Sequence, residues 1–133
     1  LNIQIICYSS QQKDLSERLS FLLNSLASDV TLVVHRTLES FSSDLGKFRG
    51  GEVIAIVVAA SKEELADIVS IKDLLVNRRV LLVLPDLDEE TVARGHALRP
   101  RFVSHIHGNL GEVAAVLKKM IEGLKHSTKM PTV

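Results

Sequence analysis

Cys7, the one cysteine of the chain, is followed by Tyr8-Ser-Ser-Gln-Gln12. At the end of a strand, a thiolate in that place would be a nucleophile for phosphoryl transfer, making the chain a cysteine-dependent phosphotransfer enzyme. Loops built for that chemistry use glycine and converging backbone donors. This one has no glycine, and its nearest cation is Lys13. A buried structural thiol is the plainer expectation. His105 and His107 stand two apart. On a strand both would point to one face, about 7 Å apart, near what a metal ion bridges. His96 could approach from the preceding helix, but no acid or cysteine nearby completes a ligand set. No metal or other cofactor is expected, and His105 and His107 read as the half-wet outer face of an edge strand.

Six further polar residues fall where strands are expected to end: Ser9, Ser10, Ser61, Asp86, His107 and Asn109. Open α/β sheets bind small ligands at the carboxyl ends of their strands, so these six are the candidate ligand pocket. The chain has no glycine-rich phosphate motif, so a nucleotide has no evident cradle. Arginines gather at Arg78, Arg79, Arg94, Arg99 and Arg101. Arg94, His96, Arg99, Arg101 and His105 are the candidate surface for a protein partner, with a solvated face as the duller reading.

The elements that would position these residues alternate. Ile3, Ile5 and Ile6 open a strand running to about Tyr8. Asp14-Leu-Ser-Glu17 has the form of a capping box, and Leu15, Leu19, Leu22, Leu23 and Leu26 follow at helical spacing. A second strand spans Val30 to His35, and Phe41, Leu45 and Phe48 mark a short helix stopped by Gly50-Gly51. Val53 to Ala60 is continuously apolar, as a strand covered on both faces must be. Ser61 and Glu64 form a second capping box, whose helix turns Leu65, Ile68, Val69 and Leu75 inward. Val80 to Leu84 is another doubly covered strand, stopped by Pro85. Asp86 to Leu98 reads as a weak polar helix with only Val92, Ala93 and Ala97 apolar, ended by Pro100. Gly95 within it suggests a marginally stable element suited to switching. Phe102 to His107 is the fifth strand. Asn109 caps a last helix carrying Val113, Val116, Leu117, Met120, Ile121 and Leu124. Residues 126–133 read as a tail or linker, leaving 1–125 as one domain.

Five strands joined by helical crossovers predict a three-layer, doubly wound α/β fold. Its parallel sheet would have the flavodoxin-like order 2-1-3-4-5. The composition bounds what such a domain does. Lysine and arginine together number 16, as do aspartate and glutamate, so no net field draws the chain to nucleic acid or anionic membranes. Aromatics make up 4% and tryptophan is absent, which disfavours base-stacking surfaces. The longest apolar runs are too short to span a bilayer. A single cysteine and no signal-like start fit a cytoplasmic setting, and the missing initial methionine suggests a processed chain or an excised domain.

From Ile3 to Leu124 the element order and apolar pattern resemble a response-regulator receiver domain. Val34-His-Arg-Thr-Leu-Glu-Ser-Phe41 is similar to that family's second strand and helix, and Arg101-Phe-Val-Ser-His-Ile-His-Gly-Asn-Leu-Gly-Glu-Val113 to its fifth strand, loop and last helix. Receivers take a phosphoryl group on an aspartate ending the third strand. An acidic pair after the first strand holds Mg²⁺, with a hydroxyl after the fourth and a lysine after the fifth. Here the acceptor's place holds Ala59 and Ala60, the acidic pair's Tyr8 and Ser9, the hydroxyl's Leu84 or Pro85, and the lysine's His105 to His107. Asp14 looks like a helix cap, and Asp86 and Asp88 follow the fourth strand. The resemblance therefore implies a degenerate receiver of bacterial two-component signalling, not phosphorylated and not an enzyme. It would act on a protein partner, a second copy of the chain included, through its fourth helix, fifth strand and fifth helix. A small-ligand-binding domain remains the alternative, beside the cysteine enzyme.

Overall fold

The structure, a computed structural model, describes residues 3–10, 17, 20–21, 30–47 and 52–129. Most of the helix expected from Asp14, the stop at Gly50-Gly51 and the end of the tail lie outside the described residues. Glu17, Ser20 and Phe21 are helical, as expected.

Five strands form one parallel sheet: β1 (Ile3–Tyr8), β2 (Val30–His35), β3 (Glu52–Val58), β4 (Arg79–Leu84) and β5 (Phe102–His105). Their order is β2-β1-β3-β4-β5, the doubly wound order that the alternation predicts. The helices are α1 (Leu38–Lys47), α2 (Lys62–Ser70), α3 (Lys72–Leu75), α4 (Glu89–Gly95) and α5 (Leu110–Lys129). Among the described residues, no helix is long and apolar enough to cross a membrane.

Side chains alternate across a strand, which divides the core in two. Ile3, Ile5, Cys7, Ile54, Ile56, Val58, Leu81 and Val83 face α5, which returns Val113, Leu117, Ile121 and Leu124. Ile6, Tyr8, Ala55, Val57, Leu82 and Leu84 face the other way, against Phe41 and Leu45 of α1, Leu65 and Ile68 of α2, and Leu75 of α3. Both faces of β3 and β4 are thus covered, which is why their sequences run apolar without a break. Each fully buried Ile, Leu or Val side chain here contributes about 1.5–3 kcal/mol.

Three expectations are corrected. The helix expected to run unbroken to Leu75 stops at Ser70 and restarts at Lys72. The Ser70 hydroxyl turns back onto the Asp67 carbonyl, and Ile71 leaves helical geometry at ψ 20°. The last helix continues to Lys129 rather than ending near Lys125.

The third correction concerns α4. Its core face is Thr91 and Gly95, followed by Leu98 in a 3₁₀ turn, while Ala93 and Ala97 are exposed. Gly95 is a packing residue. A Cβ there would lie 2.9 Å from Leu82 Cδ2 and 3.1 Å from Leu84 Cδ2. The missing side chain lets α4 sit directly on β4. Gly95→Val is therefore expected to destabilise the fold by about 1–2 kcal/mol in urea unfolding, despite valine's better helix propensity. A more stable variant would show that α4 does not bear on the sheet.

Candidate functional site

In a sheet of this order, the strand order reverses between β1 and β3, and the crevice at their carboxyl ends is where such sheets bind ligands. The loop after β1 stays low: Ser9 is buried and its N–H donates to the His35 carbonyl at 3.0 Å. After β3, the Ala59 N–H donates to the Val83 carbonyl at 2.9 Å. Ser61 then caps α2, its hydroxyl accepting the Glu64 N–H at 3.1 Å. That half of the capping box forms as its sequence predicts.

The other half does not. Instead of bonding the Ser61 N–H, the Glu64 carboxylate reaches into the crevice. Its Oε1 accepts the Ala60 N–H at 2.9 Å. Its Oε2 accepts the Ser10 hydroxyl at 2.6 Å and the Tyr8 phenol at 3.2 Å. One carboxylate thus ties the end of β1 to the end of β3. Burial, and then the Glu64 charge, raise the Tyr8 phenol above its ordinary pKa, so it remains a donor.

A second polar cluster stands at the end of β2. His35 Nδ1 is 3.0 Å from Ser40 Oγ, and His35 Nε2 is 2.7 Å from Asp44 Oδ2. The buried Phe41 ring lies between the two clusters, 5.7 Å from the Tyr8 ring and edge-on to His35 at 6.2 Å. Neither Glu64 nor the His35 cluster figures among the candidate residues read from sequence. Glu64 carries a signal there only as a helix cap, and His35, Ser40 and Asp44 match no motif.

The six candidate pocket residues stand at the ends of different strands. Ser10 and Ser61 both hydrogen-bond Glu64, and Ser9 is buried at the end of β1. Asp86 lies beyond β4, where its Oδ1 accepts the Asp88 N–H at 3.0 Å. The Thr91 hydroxyl, and then that amide, hold its carboxyl below the ordinary pKa. Thr91 acts there only as an outlying donor, since its buried Oγ1 closes no hydrogen bond of good geometry among the described residues. His107 and Asn109 are exposed past β5, and Asn109 caps α5 by accepting the Gly111 N–H at 2.8 Å.

No protein-family model, curated protein or solved structure matches the chain. What its residues can do therefore rests on their geometry.

The shared strand face expected for His105 and His107 does not form. β5 ends at His105, and the Gly108 N–H closes a turn onto the His105 carbonyl at 2.8 Å. Among the described residues, no three His, Cys, Asp or Glu side chains converge as metal ligands. Cys7 is fully buried, and burial pushes its thiol up to about 12 against the pull of Arg36. It is a protonated core residue at neutral pH.

The arginines divide by role. Arg79 pairs with Glu52 at 2.8 Å, and Arg78 donates to the Leu45 carbonyl at 3.0 Å, so both clamp the fold. Arg94 pairs with Glu90 one turn away at 3.0 Å. Arg94, His96, Arg99 and Arg101 are exposed and His105 is half-buried, and all five lie along α4, its 3₁₀ extension and β5.

Proposed function

We propose that the chain is a receiver-like signalling domain that acts by contact with a protein partner and takes no phosphoryl group at its third strand. The observation that carries this reading is the Glu64 carboxylate, tied to Ala60, Ser10 and Tyr8 between β1 and β3. In the receiver resemblance, that crevice is where the phosphoryl group and its Mg²⁺ would sit. Here Ala59 is buried at the acceptor position, and Tyr8 and Ser9 replace the acidic pair. A resident carboxylate repels an incoming phosphoryl donor. It also holds, without any transfer, a negative charge where phosphorylation would place one. The partner surface is the exposed strip of Arg94, His96, Arg99 and Arg101 beside His105, suited to an acidic face on another protein or a second copy of the chain. The setting this implies is bacterial and cytoplasmic.

An amide NMR titration with Mg²⁺ and then beryllofluoride tests the absence of phosphoryl chemistry. No saturating shifts are expected at Tyr8, Ala59, Ala60 or Leu84. Localised, saturating shifts there would show a working phosphoryl site and overturn the reading.

A further inference from the structure

The cluster at the end of β2 has the connectivity of a general-base relay, and the proton positions follow from the chemistry of its members. An ionised carboxylate only accepts, so the 2.7 Å contact with Asp44 requires the hydrogen of neutral His35 on Nε2. Nδ1 is then a bare lone pair. The 3.0 Å contact to Ser40 must be the serine hydroxyl donating to it. Thr37 touches the same hydroxyl twice: its own hydroxyl donates to Ser40 Oγ at 3.0 Å, and its carbonyl, at 3.2 Å, is a second and longer acceptor for the serine proton beside His35 Nδ1.

Exposure is graded as a reactive serine needs. The His35 and Asp44 side chains keep only 14% and 19% of their accessible surface, while Ser40 is exposed. The base is shielded and the nucleophile is open. Ser40 also lies in the first turn of α1, where its N–H donates to the Thr37 hydroxyl at 3.2 Å and the Phe41 N–H to the Thr37 carbonyl at 3.2 Å, and the positive end of the helix dipole favours developing negative charge.

We infer that Ser40, His35 and Asp44 make Ser40 a base-activated nucleophile toward small, uncharged acyl donors such as aryl esters. Ser40 Oγ bonds to the ester carbonyl carbon as its proton passes to His35 Nδ1, with Asp44 as the positioning residue that holds the imidazolium. The carbon–aryloxide bond breaks, and the leaving phenolate takes the proton from His35. Water, deprotonated by His35, then releases the acyl group as a carboxylic acid and restores Ser40. Glu39 and Asp44 flank the serine, which disfavours anionic donors. This inference is independent of the signalling role, because it uses β2 and α1 and none of the residues around Glu64.

The full chain treated with an alkyl fluorophosphonate tests it. Ser40 Oγ would bond to phosphorus with loss of fluoride, and peptide mass spectrometry locates the adduct. A Ser40 adduct is expected in the folded chain, absent from S40A and forming ~100-fold more slowly in H35Q. The wild-type chain unfolded in urea should give none. No adduct at Ser40 in the folded chain, or one forming equally fast in urea, would overturn the inference. The urea comparison decides the matter even if H35Q fails to fold.

Discussion

Phe41→Ala is expected to lower stability by about 3–5 kcal/mol, a large share of the total for a single domain. Phe41 is fully buried and fills the space between α1 and the sheet. Truncation removes its transfer free energy and leaves a cavity that rigid neighbours on β1 and β3 cannot close. The ring also holds two polar clusters at their spacing, touching Tyr8 at 5.7 Å and His35 at 6.2 Å. The variant should therefore loosen both the Tyr8–Glu64 bond and the His35–Ser40 contact. Phe41→Leu retains most of the volume and is expected to cost roughly 1–2 kcal/mol. Urea unfolding measures both, and a loss below about 1 kcal/mol for the alanine variant would mean that the site collapses freely.

The architecture was legible because burial writes itself into composition. Val53 to Val58 and Val80 to Leu84 are apolar on both faces, as strands of a parallel sheet covered on both sides are. Val113, Leu117, Ile121 and Leu124 announce α5 by the same logic at helical period. Gly95 shows where the logic fails. In the sequence it looks like a weak point in a polar helix. In the fold it is the contact that seats α4 on Leu82 and Leu84, which only the partner strand can reveal. His105 and His107 fail for a different reason. Alternation applies only while the chain stays a strand, and the turn after His105 ends it. The functional geometry was less legible still, because it is tertiary. Glu64 occupies a helix-cap position that fully explains a glutamate there, so nothing in the sequence marks its reach to Tyr8 and Ser10. His35, Ser40 and Asp44 meet only because the chain turns from β2 into α1 at one particular angle.

Removing the Glu64 carboxylate is the change that bears most directly on the crevice. Glu64→Ala strands three donors: the Ala60 N–H, the Ser10 hydroxyl and the Tyr8 phenol. Hydrogen bonds to a charged acceptor contribute more than neutral ones, but water reaches part of this site, so the expected loss is about 2 kcal/mol. Glu64→Gln keeps the shape and loses the charge, and should cost about 1 kcal/mol. The chain has one tyrosine and no tryptophan, so ultraviolet absorbance follows the Tyr8 phenol alone. Burial is the larger cause of its raised pKa and the Glu64 charge the next, so in Glu64→Gln the pKa should fall while staying above the ordinary value. The sign for stability follows. The unfolded phenol releases its proton near pH 10 and the folded one later, so stability is full below that pH and falls as pH rises through the folded value. Cys7 adds a loss of the same sign between its ordinary value of 9.0 and about 12. The alkaline loss should therefore be shallower in Glu64→Gln than in the parent chain. A chemical rescue completes the test. If Glu64 is the resident anion of the crevice, formate should raise the melting temperature of Glu64→Ala and leave the parent unchanged, because only the variant offers three free donors. Equal response of the two proteins would mean that the crevice holds no anion site for the carboxylate to fill. The signalling reading would then lose the observation on which it stands.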